Sequence, residues 1–167
     1  MDGSAGESPT FRGIRVGVAA ADPAAKGKPG IEMLRDVISG ALPAPPIGRS
    51  LNFWISGIEP GRAIFEGEPG FESLNPMGAV HGGWALTLID SATGCAAMSL
   101  LDAGVGYTTV ETKGNMVRAI RPASGRYRCE AKVLAHGRTI ITADAQITGP
   151  DGKLYAHGTS TLMVLRP

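Results

Sequence analysis

From Leu51 to Ile58 and from Arg62 to Glu68 the chain reads as two short strands around a Glu59-Pro60-Gly61 turn. From Val80 to Leu101 small and apolar residues fill a stretch too long for one strand, and the pattern predicts a single long helix. Four more strands are predicted at 107–120, 126–136, 139–148 and 153–165. The turns between them are Arg121-Pro122-Ala123-Ser124-Gly125, His136-Gly137-Arg138 and Gly149-Pro150-Asp151-Gly152. Such short connections join antiparallel neighbours. Two strands, one helix and four strands make an α+β domain on an antiparallel sheet.

Ahead of this domain, Met1 to Gly30 is mostly Gly, Ala, Ser, Pro and charge, and reads as a flexible arm. A strand that packs on a neighbour is the other reading. Ile14 to Ala21 is apolar but brief, follows Asp2 and Glu7, and lacks the basic start of a secretory signal. Ile31, Met33, Leu34, Val37 and Ile38 recur at helical spacing, with Gly40 as a stop. Leu42-Pro43-Ala44-Pro45-Pro46 predicts an extended linker. The expected division is an arm with a short helix over 1–47 and one folded domain over 48–167.

Composition narrows the class. A chain of 167 residues with 43% hydrophobic content can bury one core. Sixteen basic against 15 acidic residues give a net charge of +1, which makes no electrostatic case for nucleic acid or an anionic membrane. The two cysteines, Cys95 and Cys129, are expected as free buried thiols, which suits a reducing cytoplasm.

Between Glu72 and Asp102 the only side chain fully charged at neutral pH is Asp90. On a helical wheel Trp84, Leu88, Ala92 and Cys95 share one side, while Leu86, Gly94, Ala97 and Leu101 surround Asp90 on the other. With no polar stripe, the helix is expected to be buried all round by a sheet that curls about it. A membrane span is not expected: a charge near its centre costs about 2.5–3.5 kcal/mol. Thr87, Ser91, Thr93, Gly94 and Ser99 dilute the apolar content further. Asp is a poor interior helix former and an unpaired buried carboxylate is costly. Asp90 therefore either faces a solvated groove or a strand donor, or stands desolvated as a nucleophile or general base.

Asn75-Pro76-Met77-Gly78-Ala79-Val80-His81-Gly82-Gly83 leads into the helix. Two glycines allow close approach, and the unpaired N–H groups of a first helical turn suit a developing oxyanion. A plain glycine-rich entry turn is the alternative. His81 beside a helix start more often anchors its loop than acts chemically. His81, His136 and His157 are scattered, so no metal site is expected. Gly82 and Asp90 stand eight residues apart, roughly 12 Å along one helix. An oxyanion donor and a nucleophile each need to lie about 3 Å from their own atom of one carbonyl. One helix cannot supply both, so a site using both is shared across a homodimer.

Asn75, His81-Gly82-Gly83, Asp90 and Gly94 resemble the signature of hotdog-fold thioesterases of the phenylacetate-pathway (PaaI) type, the 4-hydroxybenzoyl-CoA thioesterase-like family. Thr109-Val110-Glu111 through Arg118, and Tyr155-Ala156-His157-Gly158-Thr159, resemble its strand after the helix and its closing strand. The resemblance covers about 48–166. It implies a sheet of about six strands curled around one long central helix, paired edge to edge in a homodimer and often within a homotetramer. It implies hydrolysis of acyl-CoA thioesters at the subunit interface, with CoA entering only as part of the substrate and no further cofactor or metal. Carried over, Asp90 is nucleophile or general base and the Gly82 N–H polarises the carbonyl. Asn75 orients the water or the carbonyl, and Thr109 matches the hydroxyl position near the carboxylate. His81, Gly83, Lys113, Gly137 and Arg138 are candidates for holding the CoA end. Where the family often has a direct Arg-Pro, this chain has Arg118-Ala119-Ile120-Arg121-Pro122, so Arg118 and Arg121 compete for one position.

Two other functions fit the same fold: a hotdog domain that binds acyl-CoA without cleaving it, and a hotdog enoyl-CoA hydratase. The hydratases usually pair an Asp with a His on one loop-helix segment, and that pair is not seen here. Trp54, Trp84 and Met77 are candidates for lining an acyl pocket, but the acyl group itself is not legible.

Overall fold

The computed structural model describes residues 9–166. In chain order its elements are β1 (Thr10–Phe11), β2 (Ile14–Arg15), α1 (Gly30–Ser39), α2 (Pro46–Leu51), β3 (Phe53–Glu59), β4 (Arg62–Gly67), α3 (Gly82–Met98), β5 (Gly106–Met116), β6 (Tyr127–His136), β7 (Ile140–Thr148) and β8 (Leu154–Leu165). Strands β3 to β8 form one six-stranded sheet in the order β3-β4-β6-β7-β8-β5, antiparallel throughout. The sheet curls around α3, which touches all six strands. This is the expected hotdog architecture.

Side chains alternate across the sheet with the period of a pleat. Ala156, Gly158, Ser160, Leu162 and Val164 of β8 are buried towards α3, while His157, Thr159 and Met163 point out. Glycines let the layers close. A Cβ on Gly94 would lie 2.6 Å from the Tyr107 hydroxyl, and one on Gly114 would lie 2.6 Å from Leu86. The core packs Trp84, Leu88, Ile89 and Ala92 of α3 against Phe53, Phe65, Tyr127 and Ile147.

Three expectations need correction. First, α3 is not buried all round. Trp84, Ala85, Leu88, Ile89, Ala92, Thr93, Ala96 and Ala97 are buried, but Leu86, Thr87, Asp90, Ser91, Cys95 and Met98 form a half-buried stripe. The single chain leaves that side of the helix only partly covered. Second, the proline-rich linker is extended at Ala44 and Pro45, as expected, but ends one residue early. Pro46 starts α2, because its fixed φ suits the first position of a helix, where no N–H is needed. Third, residues 9–47 hold more than a loose arm with one helix. Arg12 and Gly13, both at positive φ, turn a small hairpin. Arg12 lies 3.6 Å over the Trp54 ring and Phe11 meets its edge, tying the hairpin to β3. The expected helix is present as α1, ended by Gly40 at φ 84°. The part of the arm at 1–8 lies outside the described residues.

The ends of α3 also differ from the expected 80–101. Val80 is extended, donating to the Ile120 carbonyl, and Ser99 to Leu101 close a turn beyond the last helical residue.

Candidate active site

Asp90 sits on the half-buried stripe of α3. Its Oδ1 accepts a hydrogen bond from Thr112 Oγ1 at 3.0 Å. Thr112 belongs to β5, the sheet edge beside α3, and pairs in register with Ser160 of β8. The hydroxyl bonded to Asp90 is thus not that of Thr109, which pairs with Leu162. A register shift between Thr109 and Glu111 accounts for the difference. Strict alternation would place 109, 111 and 113 on one face. The bulge instead leaves Thr109, Thr112 and Gly114 half-buried on the helix side, while Val110, Glu111 and Lys113 are exposed. Lys113 consequently lies on the outer face of the sheet, away from Asp90.

The loop before α3 is built by Asn75. Its Oδ1 accepts from the Met77 and Ala79 amides at 3.0 and 3.1 Å. Two N–H donors aimed at one atom identify that atom as the amide oxygen. The Asn75 NH₂ is therefore the end left for another partner, and it can only donate. His81 is the N-cap of α3: its Nδ1 accepts from the Gly83 amide at 2.8 Å. The Trp84 amide donates to the His81 carbonyl. Of the backbone amides from His81 to Trp84, that of Gly82 alone has no acceptor among the described residues. It stands at the positive end of the helix, which suits a developing negative charge.

The structure keeps Gly82 and Asp90 on one unbroken helix, eight residues and roughly 12 Å apart. Asn75, His81, Gly82 and Gly83 come together at the helix start; Asp90 and Thr112 meet further along. Gly137 and Arg138 lie in the β6–β7 turn, near the other end of α3: Val164, whose amide bonds Thr139 in that turn, packs with Ala97 and Leu101. Arg118 and Arg121 are both exposed, beyond the end of β5.

Trp84 is core, 3% exposed, with its indole N–H bonded to the Leu51 carbonyl. Met77 is 83% exposed on the loop. Trp54 lines an apolar cavity of about 450 Å³ between the N-terminal segment and the sheet, reached from α3 by Cys95 and Met98 but not by Asp90. Burial, with Asp90 as a lesser cause, pushes the Cys95 thiol up to about 12, which leaves it protonated and a poor nucleophile. Cys129 is buried and its thiol is likewise pushed up by burial. Among the described residues no three His, Cys, Asp or Glu side chains gather as a metal site.

Residue reading missed Thr112, and with it Ser160 and Thr93 behind it. The available signal was polar residues at inward positions of otherwise apolar elements, but the bulge hid which positions of β5 are inward.

The model of the thioesterase superfamily matches residues 77–156. A putative esterase of Saccharolobus solfataricus is 32% identical over 123 residues, spanning 74% of this chain and 86% of its own length. A thioesterase family protein of Silicibacter pomeroyi has a solved structure with TM-score 0.70 and 30% identity, covering 80% of this chain and 96% of that one. A hypothetical thioesterase protein of Streptococcus pneumoniae TIGR4, solved with coenzyme A, gives TM-score 0.63 at 26% identity, covering 70% and 92%.

Proposed function

Because this chain belongs to the thioesterase superfamily, whose reaction is the hydrolysis of acyl thioesters, we propose that it cleaves acyl-CoA to free acid and CoA at an interface between two copies. The observation that carries this reading is the arrangement on α3. A lone carboxylate with one oxygen held by Thr112 and an amide without an acceptor share one helix, yet stand too far apart to meet one carbonyl. Asp90 of one subunit and Gly82 of its partner complete the site.

Asp90 acts as base or nucleophile. As base, Oδ2 takes a proton from water while the water oxygen attacks the carbonyl carbon. As nucleophile, Oδ2 attacks first and water then cleaves the acyl anhydride. Either way the C–S bond breaks and the CoA sulfur leaves as a thiolate that takes up a proton. Charge developing on the carbonyl oxygen is met by the partner's Gly82 N–H and by the NH₂ of the partner's Asn75, on the same loop. The CoA end falls to His81, Gly83, Gly137 and Arg138; the coenzyme A bound by the Streptococcus pneumoniae thioesterase supports that choice of ligand. No further cofactor enters this chemistry.

Two features support the pairing. The stripe around Asp90 is only half covered by its own chain. And β5 is an edge strand of 11 residues, with main-chain groups on its outer side open to a second β5. Ile140, Met163 and Leu165 on the outer face are 40–45% exposed and offer a surface for joining dimers into a tetramer. Free thiols at Cys95 and Cys129 suit the cytoplasm. Among the described residues no helix is long and apolar enough to cross a membrane.

The test is thiol release from a panel of acyl-CoAs by wild type and Asp90→Asn. Loss of a general base predicts a fall in kcat of about 10²–10⁴. An Asp90→Asn variant as fast as wild type contradicts the mechanism. Wild type that binds acyl-CoA but releases no thiol from any of them supports the binding-only reading instead.

A further inference from the structure

Four side chains from three elements stand in one file behind the reacting face of Asp90. Thr93 Oγ1 of α3 is 2.7 Å from Ser160 Oγ of β8. Ser160 Oγ is 3.0 Å from Thr112 Oγ1 of β5. Thr112 Oγ1 is 3.0 Å from Asp90 Oδ1. Thr93 is 0% and Ser160 1% exposed, so neither hydroxyl can exchange its partner for bulk water.

The proton count allows one direction along this file. Each hydroxyl carries a single proton, and a carboxylate only accepts. Thr112 must therefore donate to Asp90. Its proton committed, Thr112 can only accept from Ser160, and Ser160 can then only accept from Thr93. All three O–H bonds point towards the carboxylate, an arrangement in which each bond polarises the next. Thr93 also has the usual helical alternative, its own backbone: the Ile89 and Asp90 carbonyls lie 2.9 and 3.1 Å away. The Ser160 oxygen is nearer than either.

The fold is shaped to bring these oxygens together. Ser160 sits between Gly158 and Leu162 on the inward face of β8, where a small apolar residue would pack without the cost of burying a hydroxyl. Gly114 and Gly158 lack the side chains that would push these elements apart: a Cβ on Gly114 would lie 2.6 Å from Leu86 of α3, and one on Gly158 would lie 2.3 Å from the Lys113 carbonyl of β5. The bulge after Thr109 then turns Thr112 inward at the level of Asp90.

We infer that Ser160 and Thr93 are positioning residues for Asp90, acting through Thr112. The file fixes Oδ1 and the rotamer of the carboxylate and leaves Oδ2 as the atom presented to substrate. The inference rests on Asp90 being the reacting carboxylate, and it extends the site into two buried residues that do not touch substrate.

The experiment follows thiol release from octanoyl-CoA and phenylacetyl-CoA by the full chain. Thr112→Val keeps the shape and deletes the hydroxyl; Thr112→Ser keeps the hydroxyl. The expected result is a fall in kcat of about 10–100-fold for Thr112→Val, with KM within about twofold, and recovery to within about threefold of wild type for Thr112→Ser. Ser160→Ala should lower kcat about 3–10-fold and Thr93→Val by less, the loss fading with distance along the file. Ser160→Ala should add nothing to Thr112→Val, because Ser160 acts only through Thr112. Equal losses for Thr112→Val and Thr112→Ser, multiplying losses in the double variant, or full kcat in Thr112→Val would each overturn the inference. If Thr112→Val does not fold, as read by thermal unfolding, Ser160→Ala and Thr112→Ser decide: the first must lose kcat and the second must keep it. Asp90→Asn, run alongside, separates the two levels. An inactive Asp90→Asn with a fully active Thr112→Val removes the file and leaves the carboxylate, whereas a fully active Asp90→Asn removes both. A wild type that hydrolyses neither thioester also removes both.

Discussion

The two sides of α3 are held by different forces. Towards the sheet, Trp84, Leu88, Ala92 and Ala96 are buried among apolar side chains, and packing decides their positions. On the half-buried side Asp90 has one protein partner, Thr112, and its setting depends on a single file of hydroxyls. The first side defines where the helix is. The second defines what one atom on it can do. Changes on the packed side should therefore cost stability, and changes on the open side should cost rate.

The largest effect beyond Asp90 itself is expected at Gly82. Gly82→Pro deletes its N–H and little else. The residue is the first of the helix, where proline is favoured, and His81 before it already has ψ 136°, the conformation that proline requires of its neighbour. The added ring meets the flexible end of Met116, whose Cε lies 3.3 Å from a built Cβ. Loss of one oxyanion donor predicts a fall in kcat of about 10²–10³, whereas Gly82→Ala, which keeps the N–H, should lose far less. Equal losses in the two variants would show a steric effect. Leu88→Ala tests the packed side. Leu88 is 0% exposed, and its truncation should cost about 3 kcal/mol in denaturant unfolding while the folded variant keeps its kcat. Asn75→Asp preserves the oxygen that accepts from Met77 and Ala79 and replaces the NH₂ donors with a second, negatively charged oxygen. It should lower kcat about tenfold at unchanged thermal stability; a loss of stability would mean that the amide nitrogen holds the loop.

The smallest effect lies on the outer face of the sheet. Hydrogen bonds from Arg62, then Arg128, hold the Glu130 carboxyl at about 2, below its ordinary 4.5. A depressed carboxyl stabilises the fold when ionised, so the contribution is present above about pH 4.5 and fades as pH falls towards 2. Glu130→Gln should be less stable than wild type at pH 7 by on the order of 1 kcal/mol, given partial exposure, and the difference should shrink in acid. Activity should not change. A difference that grows in acid would reverse the assigned sign.

Much of this was legible in residue order. The long helix, four of the turns and the six strands follow from periodicity and from Gly and Pro, because those signals are local. Asp90 stood out because nothing else charged surrounds it in sequence. What stayed hidden depends on three-dimensional register. The bulge at Val110 exchanges Thr109 for Thr112 as the partner of Asp90 and turns Lys113 outwards. Pro46 opens a helix where a breaker was read, because the same ring stops one helix and starts another. The hairpin at Arg12-Gly13 is held by a cation over Trp54, some forty residues away in sequence and invisible to any local pattern. The half-covered stripe on α3 could not be read from a wheel, since composition does not tell whether the sheet wraps the whole helix or leaves one side for another chain.

The shared site is the central claim, and hybrid dimers test it most directly. Co-expression of Asp90→Asn and Gly82→Pro chains under different tags, followed by purification on both, yields dimers with one chain of each. If each site joins Asp90 of one chain to Gly82 of the other, one of the two sites in every hybrid is intact, and about half of wild-type thiol release is expected. Hybrids no more active than their parents would mean that each chain builds its site alone.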